Sequence, residues 1–322
     1  IDSLETYLSD DVKTIAVRGL SEVVDKKVEK RKKKEAELLL FLSELRLIKD
    51  EYEVGEMRKA VDATIRGFAD VVKSLPEAMN HPRGERVIDG TFYKRARIDG
   101  NELGYNTIAA AGSHACVLHW IRNDGAALAG DLLLLDAGVE VESHYTADIT
   151  RTLPINGKFT AAQREIYEIV LAAQEAGIRA VKPGAKYRDI NNACMKVLAE
   201  GLERLGVLTV SATESIDPNV GIHRRWSVHA SGHMLGIDVH DCAKARGEQY
   251  LDGELAVGHV LTVEPGLYIQ PDDLLFPEEY RGIGIRIEDD VLVTEDGVEV
   301  LSRELPRDPD SIESWMKSLQ NR

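Results

Sequence analysis

Apolar positions recur at spacings of three to five between residues 50 and 75: Tyr52, Met57, Val61, Ile65, Phe68 and Val72. That spacing predicts an amphipathic helix. Asp50 with Glu53 resembles a capping pair at its start, and Pro76 is expected to end it. Between Thr91 and Leu103 polar and apolar residues alternate in part, which predicts a strand. Past Tyr105 the pattern changes. "GDLLLLDAG" is a short apolar run bounded by glycines and predicts a buried strand, with "DITRTLPI" as the next. Thr160 and Gln163 form a capping box for a helix running to about Val181. "PGAKYRDI" opens another that ends near Gly206. After a loop come "HASGHMLGIDVHD", residues 229–241, then "GHVLTVEPGLYI" and "GIGIRIEDDVLVTEDGVEVLS". The last two read as sheet with "EDG" as a turn, and a helix from about Asp310 closes the chain. Strands and helices segregate, so the expected class is α+β, with helices on one side of a sheet.

Upstream, "VKTIAVRGL" predicts a strand leading into a helix start. "KKVEKRKKK", residues 26–34, has seven basic residues in nine. With Asp25, Glu29, Glu35 and Glu37 beside it, it reads as a solvated helix or linker rather than an anion-binding patch. The net charge of -15 argues against a nucleic-acid partner. No apolar run approaches the length of about 18 residues that a membrane-spanning helix needs. Cys116, Cys194 and Cys242 form no CxxC and cannot all pair, which predicts inert buried thiols in a reducing compartment, hence a cytoplasmic protein. The chain starts without methionine and without a signal-peptide layout.

Four acids interrupt this picture. Asp136 ends "LLLLD", Asp148 sits in "YTADIT", Glu264 follows "VLTV" and Glu288 follows "GIRI". Each abuts an apolar run expected to be buried, where an ionised carboxylate is costly unless paired or metal-bound. Arg151 and Arg286 could serve two of them as salt bridges. Alternatively, two divalent cations would cancel four negative charges. Adding one histidine from the 229–241 stretch gives hard oxygen donors with one nitrogen, a set suiting Mn²⁺ better than a thiolate-rich zinc site does. His229 and His233 are four apart as in HExxH sites, but Ala230 stands where the glutamate belongs, and Gly232 and Gly236 disfavour a helix.

"LDAG…ADITRT", "HASGH…DVHD", "TVEPGLYI" and "GIGIRIEDDVLV" resemble, in order, the metal-site motifs of the M24 metallopeptidases, and among them the proline-specific Xaa-Pro aminopeptidase branch. The resemblance covers about residues 43–306. It implies a pita-bread catalytic domain, α+β with helices packed on a curved, mostly antiparallel sheet, spanning 43–322. Residues 1–42 would be the remnant of an N-terminal domain and a basic helical linker. It implies two divalent ions, most readily Mn²⁺, with Co²⁺ or Zn²⁺ as alternatives. Asp136, Asp148, His233, Glu264 and Glu288 match the ligands, Asp148 and Glu288 being the bridging pair. His119, His229 and His240 match residues that hold the substrate carbonyl and stabilise the tetrahedral intermediate. Glu264 matches a proton shuttle, and Arg286 an arginine orienting a bridging carboxylate from two positions away on one strand.

The implied activity is release of the N-terminal residue from peptides with proline second, by a homo-oligomer, dimer or tetramer. A prolidase acting on dipeptides, a methionine aminopeptidase, and a poorly active or merely peptide-binding form are the alternatives. Three departures stand out. Asp136 and Asp148 are twelve apart where eleven is common, so "EVESHY", which carries His144, or a bulge must absorb a residue. Ala230 replaces a common glycine. The usual N-terminal domain is nearly absent. His81, His223 and His259 are read as structural or surface residues, as are Asp238 and Asp241. Tyr268 is read equally as core or as reaching the site.

Overall fold

The computed structural model describes residues 4–8 and 13–320. A one-turn helix α1 (Leu4–Tyr7) and a short α2 (Glu22–Lys27) precede α3 (Lys32–Leu45). The strand expected in "VKTIAVRGL" is absent among its described residues, 13–20, which form no regular element before α2. The basic run behaves as solvated surface, with Arg31 held by Glu29 and Lys34 by Glu37.

Helix α4 (Glu51–Met79) starts where Asp50 and Glu53 cap each other's backbone. It continues through Pro76, contrary to the expected stop there. The proline sits in the final turn, so it removes one bond, to the Val72 carbonyl, and has little helix beyond it to disturb. Asn80 satisfies the carbonyl of Pro76 through its side chain at 2.7 Å. A larger correction concerns the next segment. The partly alternating stretch from Thr91 is the second half of α5 (Gly84–Asp99), which buries Ile88, Phe92 and Ala96. Those residues are four apart, so they line one helical face. Gly67 on α4 makes room for this face, since a Cβ there would come within 2.5 Å of the Phe92 ring.

Strands β1 (Glu102–Leu103), β2 (Ile108–Ala111), β3 (Leu132–Ala137), β4 (Val139–Glu140) and β5 (Ile149–Pro154) follow. Then come α6 (Ala161–Ala180), α7 (Tyr187–Arg204) and a one-turn α8 (Ala212–Ser215). The second half adds β6 (Val260–Val263), β7 (Gly266–Tyr268), β8 (Gly284–Arg286), β9 (Asp289–Thr294) and β10 (Gly297–Val300), closed by α9 (Pro309–Gln320). The Thr160–Gln163 capping box forms as expected. All strand pairings between these elements are antiparallel. β2, β3 and β5 form one sheet and β10, β9 and β6 another, while the bridge between Thr150 and Glu288 joins β5 to the β8 segment. The class is α+β as expected. Among the described residues, no helix is long and apolar enough to cross a membrane. All three cysteines are free and buried, and burial pushes each thiol up to about 12.

Candidate metal centre

The β3–β5 hairpin settles where the extra residue goes. Asp136 pairs with Thr150 and Ala137 with Ile149, and the same register persists out to the Glu140–Thr146 bridge. The strands therefore contain no bulge. The added residue sits in the tip, where Val141 and Tyr145 close the turn and His144 takes φ 68°. His144 is exposed, with its Nδ1 3.1 Å from Glu140 Oε1. Asp148 lies two residues before Thr150, so it falls on the face that carries Asp136.

Glu288 reaches the same place through the bridge to Thr150. The Thr150 hydroxyl donates to Glu288 Oε2 at 2.7 Å. The loop before β6 brings in the histidine: Met234 pairs with Leu261, and the Thr262 amide donates to the carbonyl of His233 at 2.8 Å. Glu264 follows directly at the end of β6, its amide bonded to Ser231. The five residues meet in one cavity of about 550 Å³, whose wall also carries His119, His229, His240 and Arg286.

The geometry is that of a site short of positive charge. Asp148 Oδ2 is 3.3 Å and Glu264 Oε1 3.7 Å from His233 Nε2. One donor atom from each of Asp148, His233 and Glu288 fits within 4.8 Å of the others. Burial, then the charge of Asp148, drives the Glu288 carboxyl well above its usual range. Burial also lifts Glu264 to about 7, against the pull of His233. His233 shows the complement. Burial opposes its charge, but the Asp148 bond and the charges of Asp148 and Glu264 prevail and raise it to about 9. Tyr105 tells the same story, because its hydroxyl is 2.6 Å from Asp136 Oδ1 and 2.5 Å from Asp148 Oδ1. One phenol proton is thus shared between two carboxyls. The oxygen-rich donor set with one imidazole suits hard divalent ions.

A model of metallopeptidase family M24 matches residues 55–295. The chain belongs to metallopeptidase family M24. Its relatives include the Xaa-Pro aminopeptidase 1 of Streptomyces coelicolor, 58% identical over 89% of this chain and 58% of that protein. The Xaa-Pro aminopeptidase of Escherichia coli is 40% identical over 85% of this chain and 60% of its own length. The chain thus spans less than two thirds of either relative. Among solved structures, Escherichia coli aminopeptidase P with the inhibitor Pro-Leu superposes with a TM-score of 0.83 at 34% identity, covering 95% of this chain and 71% of that one. Pseudomonas aeruginosa aminopeptidase PepP gives 0.82 at 33% identity over the same shares. The fold is the M24 pita-bread fold.

Within this M24 site, several contacts differ from the sequence reading. Arg286 grips Asp136 rather than a bridging carboxylate, with Nη2 2.5 Å from Oδ2. Its other donors reach Thr150 Oγ1 and Tyr268 Oη at 3.2 and 2.9 Å. Arg151 serves none of the four acids. It pairs instead with Asp289 at 2.7 Å, both side chains fully buried. Tyr268 does reach the site. Its hydroxyl lies 2.7 Å from His229 Nε2, while His229 Nδ1 is 2.8 Å from the Ala230 carbonyl. Both ring nitrogens of His229 are therefore engaged, and burial first, then the charge of Arg286, lowers it to about 3. His119 and His240 line the cavity, and neither side chain hydrogen-bonds to protein among the described residues; His240 stands edge-on to His233, ring centroids 4.5 Å apart.

Sequence reasoning missed Tyr105 and Thr150, polar residues in ordinary strand and turn contexts. It also missed two anchors. Fully buried Glu85 ties down the loop carrying His119: it accepts from the amides of Ala111 and Gly125 at 2.8 and 2.6 Å and from Trp120 Nε1 at 2.8 Å, and lies 2.7 Å from His114 Nδ1. Buried Lys49 pairs with Asp241 at 2.9 Å, beside His240, and Arg46 reaches the other oxygen of Asp241 at 2.9 Å. Asp241 is thus structural as expected, and so are His223, bonded to Ser215, and His259, bonded to the Ala256 amide.

One expectation follows for metal loading. At pH 7 His233, with its pKa near 9, holds a proton in the metal-free protein, and a ligating imidazole must give it up. Adding Mn²⁺ in weak buffer at pH 7 should release protons, and apparent affinity should fall as pH drops. A pH-stat titration showing binding without proton release would contradict this.

Proposed function

We propose that this chain carries the catalytic unit of an Xaa-Pro aminopeptidase, removing the N-terminal residue from peptides whose second residue is proline. The observation carrying this reading is the convergence of Asp136, Asp148, His233, Glu264 and Glu288 in a cavity that also presents unengaged His119 and His240. Residues 43–322 form the unit in this reading, with 1–42 as a leading segment and linker.

Asp136, Asp148, His233, Glu264 and Glu288 would hold two divalent ions. Bound there, these would supply Lewis acidity toward a carbonyl and acidify water. Manganese is the favoured ion over cobalt or zinc, since four of the five donors are carboxylates. The residues themselves divide the remaining work. Arg286 and Tyr105 fix Asp136 from both oxygens, so its orientation is set before substrate arrives. Glu264, held at the end of β6 beside His233, accepts a proton from attacking water and returns it to the leaving nitrogen. His119 and His240 donate to the scissile carbonyl oxygen as negative charge develops on it. Ile108, Leu118, Ile121 and Val239 give the cavity an apolar wall that takes the proline ring and sheds water.

The three buried thiols support a reducing, cytoplasmic setting. Exposed Phe41, Leu42, Leu45 and Ile48 around the end of α3 support a homo-oligomer. The test is hydrolysis of Xaa-Pro-Yaa and Xaa-Pro peptides by the Mn²⁺-loaded protein. Cleavage of the tripeptides with release of free Xaa is expected. Cleavage of dipeptides alone would make it a prolidase, and cleavage of neither would overturn the reading.

A further inference from the structure

Beyond the catalytic cavity lies a second cavity of about 370 Å³, and the two share His229 and Ala230 in their walls. Ala230 is exposed, so it forms a low ridge between them rather than a buried partition. The second cavity is lined on its far side by Asn191, Met195, Arg224 and Ser227.

Its polar groups are unmatched in a consistent sense. Arg224 and Arg225 are neighbours in the same helical turn, 222–225. Arg225 is committed to Asp273, at 3.1 and 3.2 Å. Arg224 is exposed and its guanidinium has no hydrogen-bond or ion-pair partner among the described residues, in a chain of net charge -15 where carboxylates outnumber cations. Ser227 is 2% exposed, and its hydroxyl is buried with no hydrogen-bond partner. A buried hydroxyl left unpaired is costly and calls for an explanation. Asn191 spends its oxygen on the Ser231 amide at 3.1 Å, which turns its amide NH₂ group to other use. The cavity therefore offers a guanidinium, a hydroxyl and a carboxamide donor, with no carboxylate among its lining residues. A planar cation flanked by two further donors, with no competing carboxylate, matches a carboxylate ligand.

We propose that Arg224, Ser227 and Asn191 form a carboxylate subsite that receives the part of a peptide following the proline, after it crosses the ridge at Ala230. This rests on the aminopeptidase reading above and refines it: tripeptides with a free C-terminus, or peptides with an acidic third residue, become preferred substrates. Both sources present the same carboxylate.

The test compares three peptides on the Mn²⁺-loaded protein: Xaa-Pro-Ala as free acid, the same peptide amidated, and amidated Xaa-Pro-Glu. KM for the free acid should be about tenfold below that of the amide, the scale of one hydrogen bond to a charged group. Arg224→Met should collapse that preference, Arg224→Lys should restore part of it, and Ser227→Ala should reduce it. If amidated Xaa-Pro-Glu shares the low KM, the side chain is a source; if not, the terminal carboxylate is the one recognised. Equal KM for acid and amide in the unmodified protein, or a preference that survives Arg224→Met, would overturn the subsite. A tryptophan-fluorescence titration of metal-free protein with the acid and amide peptides reads the same preference without turnover. It would therefore still report on the subsite if no Xaa-Pro peptide were hydrolysed, an outcome that defeats the aminopeptidase reading instead.

Discussion

Asp148→Ala, loaded with Mn²⁺, should hydrolyse Xaa-Pro-Yaa peptides about 10³-fold or more slowly than the unmodified chain. In the metal site proposed above Asp148 is shared by both ions, and its loss would remove several kcal/mol of transition-state stabilisation, each 1.36 kcal/mol being a factor of ten. Asp148 also bonds to His233 and Tyr105, so a thermal melt of the metal-free variant beside its parent separates a lost ligand from a lost fold. A separate signature is available at His233, whose elevation to about 9 depends first, among the raising causes, on Asp148. In metal-free Asp148→Ala the imidazole should titrate at a clearly lower pH, which NMR of the ring can follow. Full activity in the variant, or an unmoved His233, would contradict the site.

The second large effect is on stability. Asp289→Ala should cost about 3–5 kcal/mol, the scale for stripping one partner from a buried ion pair. Arg151 and Asp289 are both fully buried. Asp289 also accepts from Ser302 Oγ at 2.6 Å and Gln174 Nε2 at 2.5 Å. Without it, the Arg151 guanidinium would lose its carboxylate partner, though it would keep backbone carbonyls of Thr150, Glu288, Leu305 and Pro306. Replacing both residues with apolar ones of similar volume should do less harm than removing Asp289 alone. Urea denaturation of the metal-free proteins measures this directly. A loss under about 1 kcal/mol for Asp289→Ala would mean the pair is not the clamp it looks like.

What could be read from the sequence was the exception to a pattern. Asp136, Asp148, Glu264 and Glu288 are visible because each breaks an apolar run that has to be buried, and buried charge demands compensation. The hairpin and capping boxes were legible because their signals are local. The helix α5 was not, since Phe92, Ala96 and Ile98 fall at even spacings that mimic alternation, while the true stripe of Ile88, Phe92 and Ala96 runs at a spacing of four. Partnerships across the chain were out of reach. Arg286 could be placed on the same face as Glu288, yet its partner is Asp136, 150 residues away. Tyr105 offered no local anomaly at all. It becomes significant only when β3 and β5 bring two carboxylates to its hydroxyl.

The buried bond between Lys49 and Asp241 bears on how such a protein could be recombined. The family resemblance implies a seam near residue 42, and the first long core helix begins only at Glu51. Yet the cations neutralising Asp241 lie in between, at Arg46 and Lys49. A transplant that joined a foreign leading module at Asp50 would leave the neighbour of His240 as an uncompensated acid in the interior. The smallest portable unit must therefore begin upstream of Arg46, and the seven residues from Ser43 to Lys49 travel with the chemistry rather than with whatever precedes them.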